Sequence, residues 1–293
     1  MRHSPNVIRG SLLLGLAMAC ALPAAVAQRV PVHGVPAHAE GLTETLVSVP
    51  LRADVNQVGV LSLKTGATAP DILAVLLPGS PSVVRPVVQG GVMTNSQLTG
   101  NFLIRSRRHL ADERIATLVV DCPTDSGDTC ASAYQASAQR QIDVQLLIAK
   151  VQQMQPSLKQ VWLVGTSLGT VSSSFMALYG GKAYAGAIHT ASITEPLAKN
   201  SVRELQGFDY GKADIPQYFV HHRDDPCSVT TYTGAVRIAE AYKLPLITVT
   251  GGSGFTGGVC QAQTQHGFKG REQDVMHFMA ETMKTGMVAS TEL

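Results

Sequence analysis

Polar and apolar residues alternate through Glu44-Thr45-Leu46-Val47-Ser48-Val49 and again through Val58-Gly59-Val60-Leu61-Ser62-Leu63, which predicts an antiparallel hairpin or meander opening the fold. The texture then changes. Ile72-Leu73-Ala74-Val75-Leu76-Leu77 is an unbroken apolar run closed by Pro78-Gly79-Ser80-Pro81, the pattern of a strand buried on both faces. Residues 100–113 read as a helix whose apolar positions Phe102, Leu103, Ile104 and Leu110 oppose a solvated basic face of Arg105, Arg107 and Arg108. A strand at 115–121 precedes a long helix at 133–155 that Pro156 stops. Further strands are predicted at 161–164, 185–189, 215–221 and 244–250, with helices after Ser167, at 232–242 and at 271–284. Strands alternating with helices of this length imply an α/β fold, a mostly parallel central sheet flanked by helices on both faces and joined by right-handed crossovers. There are no internal repeats and no low-complexity segments.

The N-terminus stands outside this alternation. Arg2, His3 and Arg9 precede an apolar stretch over residues 11–26 that ends in Ala25-Val26-Ala27, the make-up of a secretory signal peptide with a small-x-small cleavage site. The leader is therefore expected at 1–27 and a single α/β domain at 28–293, placing the mature protein outside the cell or in the periplasm. Cys20 offers a lipoprotein alternative, but the Leu expected three places before it is absent. No later segment is apolar enough to span a membrane. A net charge of +2 with only 15% charged residues gives no field that would select nucleic acid or an anionic membrane as partner, so binding must depend on a local pocket.

Candidate chemistry begins at Val161-Trp162-Leu163-Val164-Gly165-Thr166-Ser167-Leu168-Gly169-Thr170, a buried strand turning sharply into a helix. Glycines two residues either side of a serine serve a nucleophile held on a strained turn, where bulkier neighbours would strike the adjoining strand and helix. In an open α/β sheet functional groups gather beyond the carboxyl ends of the strands. His221-His222-Arg223-Asp224-Asp225-Pro226-Cys227 follows one late strand, and a glycine-rich loop at 251–258, then Cys260 and Gln265-His266-Gly267-Phe268, follows the next. A serine, an acid 58 residues later and a histidine 41 residues beyond it give the order Ser, Asp, His.

With these residues in view, the chain resembles a secreted serine hydrolase of the α/β-hydrolase superfamily, esterase or dienelactone-hydrolase-like and without a large cap. The similarity covers about residues 44–284 and is carried by Gly165-Thr166-Ser167-Leu168-Gly169, Asp224-Asp225-Pro226 and His266-Gly267-Phe268. The resemblance implies Ser167 as nucleophile, His266 as general base and Asp225 as orienting acid. Asp224 is the alternative acid, because His222 stands where the family usually has glycine, and Glu195 is more remote. His189 and His221 at strand ends are read as structural, and His277 lies inside the closing helix. The oxyanion would be held by the amide of Leu168 and by one from the loop after the 72–77 strand. Proline has no amide hydrogen, so that donor is Gly79 or Ser80, with Ser80 preferred by position.

Beyond the leader the cysteines are Cys122, Cys130, Cys227 and Cys260, which allow three pairings. The favoured pairs are Cys122 with Cys130, which would close a short polar loop, and Cys227 with Cys260, which would tie the acid loop to the histidine loop. No ordered Cys/His spacing suggests a metal site, and no cofactor is implied. About 25 residues separate the 188 strand from the 215 strand, too few for a large helical cap, so an open site acting on small-molecule or polymeric esters is expected. A peptidase or amidase using the same triad, and a non-catalytic binding protein on the same fold, are the alternatives.

Overall fold

The opening alternation forms a hairpin: β1 (Leu42–Arg52) pairs antiparallel with β2 (Val55–Lys64) and keeps one face toward solvent along much of its length. The structure, a computed structural model, describes Met1, residues 34–195 and residues 203–293. The predicted leader, apart from Met1, and the lipoprotein cysteine Cys20 therefore lie outside the described residues. Val35–Leu293 cluster as one unit.

After the hairpin, the strands run β3 (Ile72–Leu77), β6 (Ile115–Val120), β7 (Gln160–Thr166), β8 (Gly186–Thr190), β9 (Gln217–His222) and β10 (Leu246–Val249), with a separate small hairpin of β4 (Val87–Gln89) and β5 (Val92–Asn95). The eight-stranded sheet has the order β1-β2-β6-β3-β7-β8-β9-β10 and is parallel from β6 through β10. Every residue of β3, β6, β8 and β9 is buried, as apolar runs covered on both faces require. Period-two geometry divides β3 between two cores. Ile72, Ala74 and Leu76 join Val275, Met276 and Met279 of α6 (Glu272–Thr285), whereas Leu73, Val75 and Leu77 join Val144, Leu147 and Ile148 of α3 (Ala138–Met154) and Met176 of α4 (Gly169–Gly180). From β3 the chain returns to lay β6 on one side and then places β7 on the other. The crevice above β3 and β7 is thus the switch point at which such sheets bind ligands.

Four expectations are corrected. The helix expected over 100–113 is brief: α1 (Phe102–Ser106), capped by Asn101 Oδ1 accepting the Leu103 N–H at 3.0 Å, passes into a 3-10 turn at Arg107–His109. Its supposed solvated basic face is partly interior. Arg107 is fully buried and makes a two-pronged ion pair with Glu44, Nε to Oε1 at 2.8 Å and Nη2 to Oε2 at 2.9 Å, because Glu44 lies on the inward face of β1 and needs a cation there. The helix expected at 133–155 is divided into α2 (Ser132–Gln135) and α3, because Ser137 turns its hydroxyl to accept the Arg140 N–H at 3.1 Å and so starts a new helix. β9 and β10 begin two residues later than expected, each directly after a proline, Pro216 and Pro245, that cannot donate to the ladder. The β4–β5 hairpin, turned at Gly90 and Gly91 with φ of +60° and +80°, was not anticipated. The two cysteine pairings are as expected, Cys122 with Cys130 and Cys227 with Cys260.

Candidate active site

Ser167 follows the last residue of β7 and has φ of +50°, a left-handed conformation that a serine adopts only where its surroundings impose it. Its N–H donates to Thr190 O at the end of β8 (3.1 Å), and its own carbonyl accepts from Thr170 N–H (2.9 Å) and Thr170 Oγ1 (2.6 Å) in the first turn of α4. Strand and helix therefore grip the turn from both sides. The flanking glycines are sterically required. A Cβ on Gly165 would stand 2.7 Å from Gly169 O and strike Ser173 Oγ, and one on Gly169 would stand 2.7 Å from Pro78 O and strike Leu77 O. That close approach brings the Pro78-Gly79-Ser80 loop beside the serine: a Cβ on Gly79 would lie 3.0 Å from Ser167 Cβ.

Asp225 lies in the loop after β9, its side chain closed off from solvent. Its Oδ1 accepts the Cys227 N–H at 2.9 Å, and its Oδ2 lies 3.0 Å from His266 Nδ1. A carboxylate can only accept, so Nδ1 carries a proton, and in the neutral form of the ring Nε2 keeps its lone pair. His266 sits in the 3-10 turn Gln265–Gly267, and its N–H donates to Thr264 Oγ1 at 3.2 Å. Gly267 follows because any side chain there would run into the backbone of Ala262. Asp224 is exposed, and its N–H donates to His222 Nδ1 at 3.0 Å, while His222 Nε2 donates to Gly251 O at 2.8 Å. Of the two aspartates, it is Asp225 that meets His266. His222, standing where glycine is usual in the resembled family, ties the acid loop to the glycine-rich loop.

The other candidates are engaged elsewhere. His189 is buried between Ser173 Oγ (2.8 Å) and Gln217 Oε1 (3.3 Å), and burial pushes its imidazole down to about 4. His221 accepts the Ser192 N–H at Nε2 (2.7 Å), and burial pushes it down to about 4 as well, against a smaller upward pull from Asp225. Both are neutral near pH 7, in keeping with structural roles. Glu195 bonds Thr231 and Arg237, and His277 is exposed on α6.

Ser167 and His266 face one cavity of about 310 Å³, whose wall includes Gly79, Ser80, Asn101 and Gln263. The amide of Leu168 lies at the start of α4, where helix N–H groups have no partner within the helix. Two neighbours of this cavity escaped the sequence reading. Arg105 donates to Gly100 O and Gly267 O, each at 2.7 Å, and pairs with Glu272 at 3.0 Å, binding the cavity wall to the histidine turn. Thr230 Oγ1 lies 2.8 Å from Asp225 Oδ2 and 3.0 Å from His266 Nδ1. Neither carries a local motif; each is found only through the fold. Between β8 and β9 the described residues hold one short 3-10 turn, Tyr210–Lys212. Among the described residues no cluster of three or more His, Cys, Asp or Glu side chains could hold a metal ion, and no helix is long and apolar enough to cross a membrane.

Sheet order, crossover pattern and the strained strand-to-helix turn together define the α/β-hydrolase fold. No protein-family model and no curated protein sequence matches the chain. Solved structures do. A dienelactone hydrolase-like promiscuous phosphotriesterase from metagenomic libraries superposes with a TM-score of 0.51 at 15% identity, covering 83% of this chain and 98% of that one. Est1E from Butyrivibrio proteoclasticus gives 0.52 at 13% identity over the same shares, and its structure with ferulic acid bound gives 0.52 at 14% identity over 82% and 98%. At these identities the likeness establishes the fold.

Proposed function

We propose that this chain is a secreted serine hydrolase that cleaves carboxylic esters or thioesters through an acyl-enzyme, with Ser167 as nucleophile, His266 as general base and Asp225 as the acid behind it. What supports this reading above all is the 3.0 Å contact of His266 Nδ1 with a buried Asp225, in a histidine that shares a cavity with a serine held at φ +50°. A serine hydroxyl is a poor nucleophile until a base takes its proton, and an imidazole with Nδ1 committed to a carboxylate offers Nε2 for that task. The carboxylate fixes the tautomer and stabilises the imidazolium that forms, and His266 then returns the proton to the leaving alcohol. Amides of Leu168 and Ser80 receive the negative charge of the tetrahedral intermediate.

Fold alone does not choose a substrate. A hydrolase is favoured by the name of one structural neighbour, a dienelactone hydrolase-like phosphotriesterase, and the ferulic acid bound to another is the kind of carboxylic acid that ester cleavage releases. The short β8–β9 connection favours soluble or polymeric esters over substrates that need a lid. The leader expected at 1–27 and the two disulfides support an oxidising compartment. The test is a panel of p-nitrophenyl esters of increasing acyl length beside peptide p-nitroanilides. Ester turnover by the wild type and a loss of roughly 10⁶ in rate for Ser167→Ala is the expected result. Turnover of anilides without esters would move the assignment to a peptidase, and equal activity in the two proteins would remove Ser167 from the chemistry.

A further inference from the structure

The loop between β9 and α5 (Tyr232–Tyr242) folds around Asp225. Thr230 donates its N–H to Cys227 O at 3.2 Å, and the next residue, Thr231, caps α5 by accepting the Gly234 N–H at 3.0 Å. A helix start therefore holds Thr230 in place, with none of its surface exposed to solvent. Its Oγ1 stands 2.8 Å from Asp225 Oδ2 and 3.0 Å from His266 Nδ1. A hydroxyl has one proton and two lone pairs, and a carboxylate has no proton to give, so the Thr230 O–H donates to Asp225. The remaining lone pairs make Oγ1 a second acceptor for Nδ1–H, which is shared between Thr230 and Asp225.

We infer that Thr230 is a positioning residue for catalysis, its hydroxyl closing a ring of hydrogen bonds with Asp225 and His266 that holds the carboxylate and the imidazole plane in register with Ser167. The inference rests on the triad reading above. The ring acts on the acid and base and away from the substrate: Thr230 is not part of the cavity wall. Its second acceptor counts most when His266 becomes an imidazolium in the transition state, so its loss falls on kcat while KM is kept. With water excluded, nothing replaces the hydroxyl once it is removed.

The test compares Thr230→Val, Thr230→Ala and Thr230→Ser with the wild type, using p-nitrophenyl acetate kinetics and the downfield proton NMR resonance of the His266 Nδ1–H. Thr230→Val is expected to lower kcat about tenfold with KM within about twofold. The Nδ1–H resonance should move in Val and Ala but stay near its wild-type position in Ser, which recovers most of the rate lost in Ala. The Ala and Ser pair isolates the hydroxyl even where Val does not fold. Wild-type kcat and an unmoved resonance in Val, or Ala and Ser losing rate equally, would overturn the role of Thr230 while leaving the triad standing. A wild type that neither hydrolyses the ester nor reacts with a fluorophosphonate would remove the triad reading and the Thr230 role with it.

Discussion

Ser167 has a backbone conformation that only its neighbours can enforce, and those neighbours were legible in the sequence as Gly165 and Gly169. Each glycine leaves room for a backbone atom that a Cβ would displace, so the local string carries the constraint. Arg107 teaches the opposite. Its spacing in the chain matches a solvated helix face, and nothing nearby reveals that Glu44, 63 positions earlier, faces inward to meet it. Burial by itself would raise the Glu44 carboxyl, but the hydrogen bonds and charge of Arg107, with help from Ser62 and the Met93 N–H, outweigh it and hold the group below its ordinary value. Glu44→Gln leaves a buried guanidinium without its counter-charge, at a cost of about 3 to 5 kcal/mol, and the melting temperature at pH 7 should fall by about 10 °C. The stabilisation of a depressed carboxyl is complete above its unfolded pKa and fades as pH falls through the folded one. The gap between wild type and variant should therefore persist down to about pH 4.5 and narrow only in stronger acid. Thermal melts across that range check this; equal melting temperatures at pH 7 would contradict it.

At the scale of elements, the strands that build the sheet were legible because fully buried strands leave continuous apolar runs. The departures have local causes: a proline delaying β9 and β10, a serine restarting the helix at 137, and a Gly90-Gly91 turn whose flanking strands, three and four residues long, are too short for periodicity to show. Asp225 and His266 could be picked out because both follow strand ends, where an α/β sheet collects its functional groups. Thr230 and Arg105 could not, since their partners are set by how loops fold back. The disulfide between Cys227 and Cys260 joins two such loops across 33 positions, and the Cys227 N–H is itself bonded to Asp225. Replacing both cysteines by alanine should cost roughly 3 to 4 kcal/mol in the chain-entropy account and lower kcat by loosening the acid against the base. Calorimetry and ester kinetics on the double variant test this; unchanged stability and unchanged rate would show the bridge to be idle.

For the whole molecule, the sheet order places β3 and β7 side by side at the switch point, so that a backbone loop from one and a strained serine from the other meet over one cavity, with His266 from the loop after β10 on its wall and Asp225 from the loop after β9 lying 3.0 Å from that histidine. A net charge of +2 adds no strong long-range field, so binding depends on local contacts. Ser167 is proposed to be an activated nucleophile, and covalent labelling tests that role most directly. A fluorophosphonate incubated with the wild type, Ser167→Ala and His266→Ala, followed by peptide mass spectrometry, should place one adduct on Ser167 of the wild type, none at that position in Ser167→Ala and far less in His266→Ala. An unmodified Ser167, under conditions in which a control serine hydrolase is fully labelled, would contradict it.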